Sequence, residues 1–467
     1  RSLALPIRRY AVCVMLLAFL SSAPSRGQTT REYTAQGMRG VVATGHPIAT
    51  DAAVEVLRQG GNAVDAAVAA ALMLGVVDGH NSGIGGGCFM LIRTADGKVV
   101  ALDGRETAPA AATRDMFIRD GKGDTKLSQT GALASGVPGS VLVYDHATKT
   151  FGKRRLADLL EPAAKVAEDG FPINGSYARK LREARDDLAR FPASRAVLLK
   201  PDGTPLPEGE TLRQPDLAKS YRALASDGTD WFYRGAFAKA VADWMKSNGG
   251  ILTADDFARY QMKTREPLAT KYRQFTIVGF PPPSSGGVHV AQILGMLERF
   301  DLAAMEKDDA ASRVHVMAES MKLAFADRAH WLGDPDFVPV PRGLIDPAYI
   351  RRLSFKIARE LPKPVRSHDQ PPRAAEDLFG GANKHTTHIA AADAEGNWVA
   401  LTTTVNTAFG SKVIIPGTGV IMNNQMDDFS IQPGVPNNFK LIGAEANAVA
   451  PGKRPADDHH AGGAGDQ

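Results

Sequence analysis

Apolar residues recur at helical spacing through the first two thirds of the chain. An Ala-rich run at 63–74 follows Asn62, a residue that commonly caps helices, and the pair Gly60-Gly61 ends a shorter helix at 51–60. Thr253 and Asp256 have the spacing of a capping box, and Ser312 is expected to cap the helix that follows it. The same periodicity predicts helices at 156–168, 174–188, 235–247, 288–300 and 314–332.

The pattern changes after a segment at 356–382 that is rich in Pro, charged and small residues and has the character of an exposed linker. Alternating positions predict strands at 386–392 and 398–404 around a turn at 393–397, and a third strand at 419–423. Upstream, a Gly-rich turn at 81–87 precedes a strand at 89–93, whereas 459–467 shows no strand pattern. Helices followed by hairpin strands predict stacked layers of helix and sheet.

The N-terminus has the pattern of a secretory signal at 1–27. Arg8 and Arg9 precede an apolar run of ten residues at 11–20, and small residues at 21–23 offer a cleavage site. A membrane anchor is the alternative, although ten residues are too few to span a bilayer, and the arginine pair also permits a twin-arginine signal. We therefore expect a periplasmic or secreted protein without a stable membrane anchor.

Composition excludes several classes of protein. The chain has 467 residues, of which 44% are hydrophobic and 23% charged, so neither intrinsic disorder nor a polytopic membrane protein is expected. The net charge of +4 comes from the four arginines of 1–27, because the remaining chain has equal numbers of basic and acidic side chains. No basic cluster is interleaved with aromatic residues, so a nucleic-acid partner is not expected.

Cysteine and histidine usage narrows the chemistry further. Only Cys13 and Cys88 occur, so no disulfide framework is possible once the signal is removed. Cys88 follows three glycines in an apolar setting, which favours a buried inert thiol over a nucleophile. His385 and His388 are spaced as metal ligands can be, but no third ligand is nearby in sequence, so no metal is expected. The glycine run lacks the order of a dinucleotide site, and no cofactor is implied.

The segment at 384–388 carries the most specific chemistry. If the chain were cut before Thr386, this residue would bear a hydroxyl and a free α-amine, and an amine with a pKa near ~8 can act as the base for the hydroxyl. A residue at the start of a strand would also be held rigidly. Taken alone, two adjacent threonines equally fit an edge strand of β-branched residues.

The surrounding motifs favour the first alternative. The segment from Thr386 through Asn406 to Asp428 strongly resembles the γ-glutamyltransferase (glutathione hydrolase) family. The resemblance extends over roughly 36–455 and rests on ordered motifs at 45–47, 60–66, 82–87, 103–106, 281–287, 324–328, 333–335, 386–388, 404–410, 423–430 and 451–455.

This resemblance implies an α+β fold, a four-layer αββα sandwich of the N-terminal nucleophile hydrolase type. A proenzyme would cleave itself between His385 and Thr386 into a large subunit, 28–385, and a small subunit, 386–467. Thr386 would then attack the γ-glutamyl amide of glutathione and transfer the γ-glutamyl group to water or to an amino acid or peptide acceptor.

The resemblance also assigns the other site residues. Arg105 matches the arginine that binds the substrate α-carboxylate, and Asn406, Gln425 and Asp428 match the residues around the α-amino group. Thr404 matches the threonine that supports the nucleophile, and Phe439 falls in the lid loop.

The pattern departs from the family at 456. Ala456, Asp457 and Asp458 stand where the family has a leucine and two serines that bind the substrate carboxylate, and the later Gly-Gly pair that serves the oxyanion is absent. We therefore expect the sandwich to be incomplete at its C-terminal end, as in a truncated or frame-shifted member. A non-catalytic relic and an acylase acting on a glutaryl β-lactam side chain are the alternatives.

Overall fold

A computed structural model of the chain describes residues 34–358, 365, 368 and 387–456, and the backbone of 462–466. The described residues from Arg39 onward belong to one compact unit. The helices are α1 Pro47–Arg58, α2 Ala63–Val77, α3 Thr125–Gln129, α4 Ser140–Phe151, α5 Leu156–Asp169, α6 Gly175–Ala189, α7 Pro192–Leu198, α8 Pro215–Asp227, α9 Thr229–Tyr233, α10 Ala236–Ser247, α11 Ala254–Arg259, α12 Ser285–Leu297, α13 Leu302–Asp308, α14 Ala310–Trp331 and α15 Pro347–Ser354.

Two sheets of unequal size lie between these helices. The strands are β1 Gly40–Ala43, β2 Gly87–Arg93, β3 Val99–Gly104, β4 Ile118–Arg119, β5 Lys122–Gly123, β6 Phe171–Pro172, β7 Thr211–Leu212, β8 Lys263–Arg265, β9 Leu268–Tyr272, β10 Phe275–Gly279, β11 Thr387–Asp393, β12 Trp398–Thr404 and β13 Gly462–Asp466. The larger sheet has the order β1-β11-β12-β2-β3-β8, and the smaller has the order β13-β10-β9, with antiparallel pairs throughout. The short strands β4 with β5 and β6 with β7 form two separate two-stranded sheets.

Helix α2 forms the centre of the layer on one face of the larger sheet. All fifteen of its residues are buried, and it packs on β11 and β12. Its many alanines allow a close approach to the sheet and to α1 and α5. Asn62 caps its N-terminus, as the sequence predicted, and forms a capping box with Asp65. A helix buried on every side owes its stability to this packing and not to an amphipathic pattern.

The other face of the larger sheet carries a small core around Phe280. This ring packs against Phe89 with centroids 4.3 Å apart, and Leu91, Ala101 and Ala400 complete the cluster. Phe280 directly follows β10, and α12 covers β9 and β10 with α14 and α15 beside it. The order of layers is therefore helices, sheet, smaller sheet and helices, and the predicted α+β class is confirmed.

The predicted glycine turn is the point where three segments approach each other most closely. A Cβ on Gly86 would overlap the carbonyl oxygen of Thr404, and a Cβ on Gly85 would overlap that of Ile421. A Cβ on Gly87 would collide with the carboxyl group of Glu106. The absence of side chains at these three positions is what allows β2 to begin in contact with the end of β12.

Several predicted boundaries were wrong. Residues 419–423 form no strand, because Ile421 makes only an isolated bridge to Ile414. Residues 462–466 do form a strand, β13, which pairs with β10 although its side chains gave no strand pattern. Helix α14 is capped by Asp309 instead of Ser312, and α12 begins three residues earlier than predicted, after Ser284.

Some predictions fall outside the described residues. These are the signal at 1–27, most of the linker at 356–382, and the residues His385, Thr386, Asp457 and Asp458. Within the described part of the chain, no helix combines the length and apolarity that crossing a bilayer requires.

Replacement of Gly86 by alanine should destabilise the protein strongly, by about 3 kcal/mol, because the new Cβ meets a backbone oxygen that cannot rotate away. Gly45→Ala is the matched control, since its Cβ would lie an ordinary 3.7 Å from the Cγ2 atom of Thr387. Urea unfolding of both variants measures the difference. Equal losses would contradict the role given to the close approach.

Candidate functional site

Four strand ends of the larger sheet meet at one edge. Strand β11 begins at Thr387, which pairs with Thr403, and β12 ends at Thr404, which pairs with Gly87. Strand β3 ends at Gly104 opposite Cys88 in β2. Antiparallel register therefore brings the start of β11, the end of β12 and the residues after β3 to the same edge.

Arg105 follows β3 and is only 1% exposed. Its Nη2 atom donates a hydrogen bond of 2.6 Å to Oδ2 of Asp428, and its Nη1 atom lies 3.5 Å from Oε2 of Glu106. Its Nε atom donates to the carbonyl oxygen of Pro455 at 3.4 Å. The guanidinium thus joins segments that are more than 300 residues apart in sequence.

The backbone of Arg105 is fixed by a second buried ionic network. Its N–H donates to Oδ1 of Asp103 at 2.8 Å, while the other carboxylate oxygen lies 2.7 Å from Nε of Arg265 and 3.6 Å from Nε of Arg454. Burial opposes ionisation of Asp103, but the two guanidinium groups hold its pKa below the ordinary value. Arg454 also donates its backbone N–H to Asp334 at 2.9 Å, which anchors the segment before Ala456.

The two carboxyl groups around Arg105 both resist ionisation. Burial raises the pKa of Asp428 to about 8, although Arg105 opposes the shift, and burial raises the pKa of Glu106 to about 7. Oδ1 of Asp428 and Oε1 of Glu106 are buried and accept no hydrogen bond from the described residues. Each carboxyl group therefore has one oxygen available to a ligand.

Two buried amides complete this group of open acceptors. Asn406 has a left-handed backbone (φ 79°), and its N–H donates to Oγ1 of Thr404 at 2.8 Å. Its Nδ2 atom donates to the carbonyl oxygen of Asn424 at 3.0 Å, whereas its Oδ1 atom has no donor among the described residues. Gln425 is fully buried, and its side chain lowers the pKa of the Glu106 carboxyl. Its Oε1 atom accepts no hydrogen bond from the described residues.

The side chain of Asn423 holds the backbone of Gln425. Its Nδ2 atom donates to the carbonyl oxygens of Gly85 and Gly136 at 2.8 and 2.9 Å. Its Oδ1 atom accepts the N–H groups of Gly136 and Gln425 at 2.9 and 3.1 Å. This one side chain links the glycine turn to the residues that include Gln425 and Asp428.

The predicted lid residue lies in a turn that is attached to the site by Asp427. The N–H of Asn438 donates to Oδ2 of Asp427 at 2.9 Å, and the N–H of Phe439 donates to Oδ1 of Asn437 at 3.0 Å. Ser128 donates to the other oxygen of Asp427 at 2.6 Å. Phe439 itself is half-buried.

The structure thus brings together Arg105, Thr404, Asn406, Gln425 and Asp428, and leaves His385 and Thr386 outside the described residues. Sequence reasoning missed the contribution of Glu106 and Asp427. Glu106 follows Arg105 and Asp427 precedes Asp428, each inside a motif that matches the family. An acidic residue next to a predicted site residue is the signal that could have indicated them.

Among the described residues, which do not include His385, no three His, Cys, Asp or Glu side chains form a potential metal-binding group. His388 lies on β11, where its Nδ1 atom is 2.9 Å from Oγ1 of Thr402.

The model of one protein family, Gamma-glutamyltranspeptidase, matches residues 49–459. The chain belongs to this family. It is 43% identical over 420 residues to the Glutathione hydrolase proenzyme of Escherichia coli strain K12, covering 89% of this chain and 71% of that protein. It is 41% identical over 434 residues to the Acylase ACY 1 proenzyme of Pseudomonas sp. strain SE83, covering 91% and 74%.

A solved structure agrees with this membership. The γ-glutamyltranspeptidase of Helicobacter pylori superposes with a TM-score of 0.69 at 40% identity, covering 71% of this chain and 95% of that one. The fold predicted from the family resemblance is therefore confirmed at the level of the family.

Stability should fall as the pH rises from about 5 to about 8. The carboxyl groups of Glu106 and Asp428 have pKa values of about 7 and about 8 in the folded protein, against ~4 in an unfolded chain. The folded state therefore keeps protons that the unfolded state has released, and its stability declines as the pH approaches the folded-state values.

Asp428→Asn removes one of these titrations, so urea unfolding of this variant between pH 5 and pH 8.5 should show a shallower decline than the original protein. Identical slopes in both proteins would show that Asp428 is already ionised when folded.

Proposed function

We propose that this chain is the proenzyme of a γ-glutamyltransferase/glutathione hydrolase. Cleavage between His385 and Thr386 would give a large subunit, 28–385, and a small subunit, 386–467, and Thr386 would be the nucleophile. Family membership supports this reading, as does the name of the Escherichia coli relative.

The observation that carries the proposal is the group of open acceptors beside one guanidinium. The α-carbon of a γ-glutamyl group bears a carboxylate and an ammonium. A guanidinium such as Arg105 suits the carboxylate, and the ammonium can donate to Asp428 Oδ1, Gln425 Oε1 and Asn406 Oδ1. A single ammonium has three N–H donors, one for each of these oxygens.

The nucleophile would act at the same edge of the sheet. Thr386 precedes Thr387 directly, so its Cα is within about 3.8 Å of the first described residue of β11. Thr404 ends the neighbouring strand, and its hydroxyl oxygen accepts the N–H of Asn406. We assign Thr404 the support of the nucleophile and Asn406 the substrate amine, which places both functions on one short segment.

The reaction would proceed in two acyl-transfer steps. The Thr386 hydroxyl adds to the γ-carbonyl carbon while its proton passes to the α-amine of the same residue. That ammonium then protonates the leaving amine of cysteinylglycine, and a γ-glutamyl ester remains on Thr386. Water or the amine of an amino acid or peptide acceptor attacks this ester and regenerates the hydroxyl. No cofactor or metal takes part in this scheme.

Two further assignments complete the proposal. Phe439 would cover the bound γ-glutamyl group, because its turn is hydrogen-bonded to Asp427, the residue next to Asp428. Residues 1–27 would direct export to the periplasm or the medium, on the basis of Arg8, Arg9 and the apolar run at 11–20.

Thr386→Ala should abolish both processing and turnover. On a denaturing gel the original protein should give two fragments, the smaller beginning at Thr386, whereas the variant should remain a single chain near 50 kDa. Hydrolysis of γ-glutamyl-p-nitroanilide should fall to background in the variant. Thr386→Ser, which keeps a hydroxyl and an α-amine, is the control and should retain cleavage. Equal rates in the original protein and in Thr386→Ala would end the assignment of the nucleophile.

A second candidate function is that of an amide acylase that accepts a glutaryl group. The acylase relative, whose identity to this chain is nearly as high, is the observation that favours it. A glutaryl group has a terminal carboxylate but no ammonium, so it would leave Asp428 Oδ1 and the two amide oxygens without a donor.

Comparison of γ-glutamyl-p-nitroanilide with glutaryl-p-nitroanilide distinguishes the two functions. We expect kcat/KM to be lower for the glutaryl compound by about 10²-fold or more, because a site built to bind a polar group strongly rejects the analogue that lacks it. A glutaryl substrate hydrolysed as fast as the γ-glutamyl one would assign the chain to the acylases.

A further inference from the structure

A buried hydrogen bond holds the start of β11. The hydroxyl of Thr387 donates to Oδ2 of Asp78, and the two residues are only 5% and 8% exposed. Asp78 directly follows α2, and none of the sequence motifs assigned it a function. The bond therefore joins the end of the central helix to the residue that follows the proposed cleavage point.

Asp78 is itself held in place from several directions. Its backbone N–H donates to the carbonyl oxygen of Leu74 at 2.8 Å and ends α2. Nδ2 of Asn81 donates to both carboxylate oxygens, at 3.1 and 3.3 Å, and Nδ1 of His80 lies 3.4 Å from Oδ1. A carboxylate fixed in this way presents Oδ2 to Thr387 in one orientation.

Backbone pairing holds β11 on one side only at this point. Thr387 pairs with Thr403 of β12, whereas the ladder with β1 begins only at Ala390, which pairs with Ala43. The bond to Asp78 therefore adds a side-chain contact where β11 has one strand neighbour instead of two.

The protonation state of Asp78 makes this contact sensitive to pH. Burial raises the pKa of Asp78 to about 6, against the hydrogen bonds from Thr387 and Asn81. Burial lowers the pKa of His80 to about 3, with Lys180, Arg179 and His46 adding to the shift, so the imidazole is neutral. Tyr177 packs edge-on against His80 with ring centroids 4.7 Å apart. Its hydroxyl stays neutral, because burial and the nearby Asp78 raise its pKa.

We propose that Asp78 is a positioning residue, which orients Thr387 and through the intervening peptide bond fixes the hydroxyl and α-amine of Thr386 relative to Thr404. The inference rests on the proposed function. Because a peptide unit is planar, a fixed Thr387 amide leaves only the ψ and side-chain rotations of Thr386 to set where its hydroxyl and α-amine lie. Small displacements of a nucleophile reduce rates far more than they reduce substrate binding, since binding depends on the separate group around Arg105.

The test uses Thr387→Val, Thr387→Ser and Asp78→Asn in the full chain, with γ-glutamyl-p-nitroanilide as substrate. Thr387→Val should lower kcat about tenfold or more, by the misplacement expected of a near-attack geometry, and change KM by less than about threefold. Thr387→Ser keeps the hydroxyl and should restore kcat. Thr148→Val is a matched control, because it removes a buried hydroxyl that bonds only to carbonyl oxygens of its own helix, α4, and kcat should not change.

The pH profile and the double variant give readouts that a purely structural role would not move. Protonation of the Thr386 α-amine, with a pKa near ~8, should lower kcat on the acid side in every variant. In the original protein a second, steeper decline should follow below about pH 6, where Asp78 becomes protonated, and only this second decline should be absent in Asp78→Asn and Thr387→Val. Since both residues act through one bond, the double variant should be no slower than the slower single one. If Thr387→Val does not fold, Asp78→Asn, which keeps size and shape, decides by the same readouts.

Two results would overturn the inference. If Thr387→Val and Thr387→Ser have the same kcat and differ only in melting temperature, the bond is structural and the proposed function stands. If the original protein neither cleaves itself nor exceeds Thr386→Ala in turnover, the proposed function fails, and the positioning role fails with it.

Discussion

The Arg105 guanidinium is the interaction on which the rest of the site depends. It is almost fully buried, and besides its neighbour Glu106 it contacts Asp428 and the carbonyl oxygen of Pro455, which reach it from distant segments of the chain. Removing a buried charge from such a group leaves its partners uncompensated, which is far more destabilising than losing an exposed pair. The exposed pair of Arg114 with Glu445 joins similar segments but contributes little, because water screens it.

The second constraint is the close approach of three backbone segments at the glycine turn. Gly86 admits the carbonyl of Thr404, and Asn423 fastens the turn to the segment that carries Gln425. The side chains that surround Arg105 are thus carried by strand ends and by a turn whose backbone is closely packed and hydrogen-bonded. Precise orientation of a substrate requires such a fixed backbone.

Local sequence signals predicted the elements whose causes are local. The capping boxes at Asn62 and Thr253 are formed, and the helices around them lie near their predicted positions. The strand predicted at 419–423 fails because its pairing with the segment before it is limited to one isolated bridge, between Ile421 and Ile414, and Asn423 bonds instead to Gly85 and Gly136. Strand β13 was missed because its glycines and alanine give no alternating pattern of side chains, although its backbone pairs with β10.

The candidate site divides in the same way. Motif resemblance indicated Arg105, Asn406, Gln425 and Asp428, and the structure places them together. It could not indicate that Glu106 shares the guanidinium, or that Asp78 holds Thr387, because burial and distance in space decide both contacts.

The charge balance around Arg105 accounts for the kind of headgroup that the site would accept. Without a ligand, one guanidinium faces two buried carboxyl groups, and their raised pKa values show that the group tends to retain a proton. A headgroup with one carboxylate and one ammonium adds no net charge to this group, and its ammonium can donate to Asp428. A headgroup with a carboxylate alone would add one uncompensated negative charge in a region where water screens it poorly. These acids would therefore favour an α-amino acid group over a simple dicarboxylate.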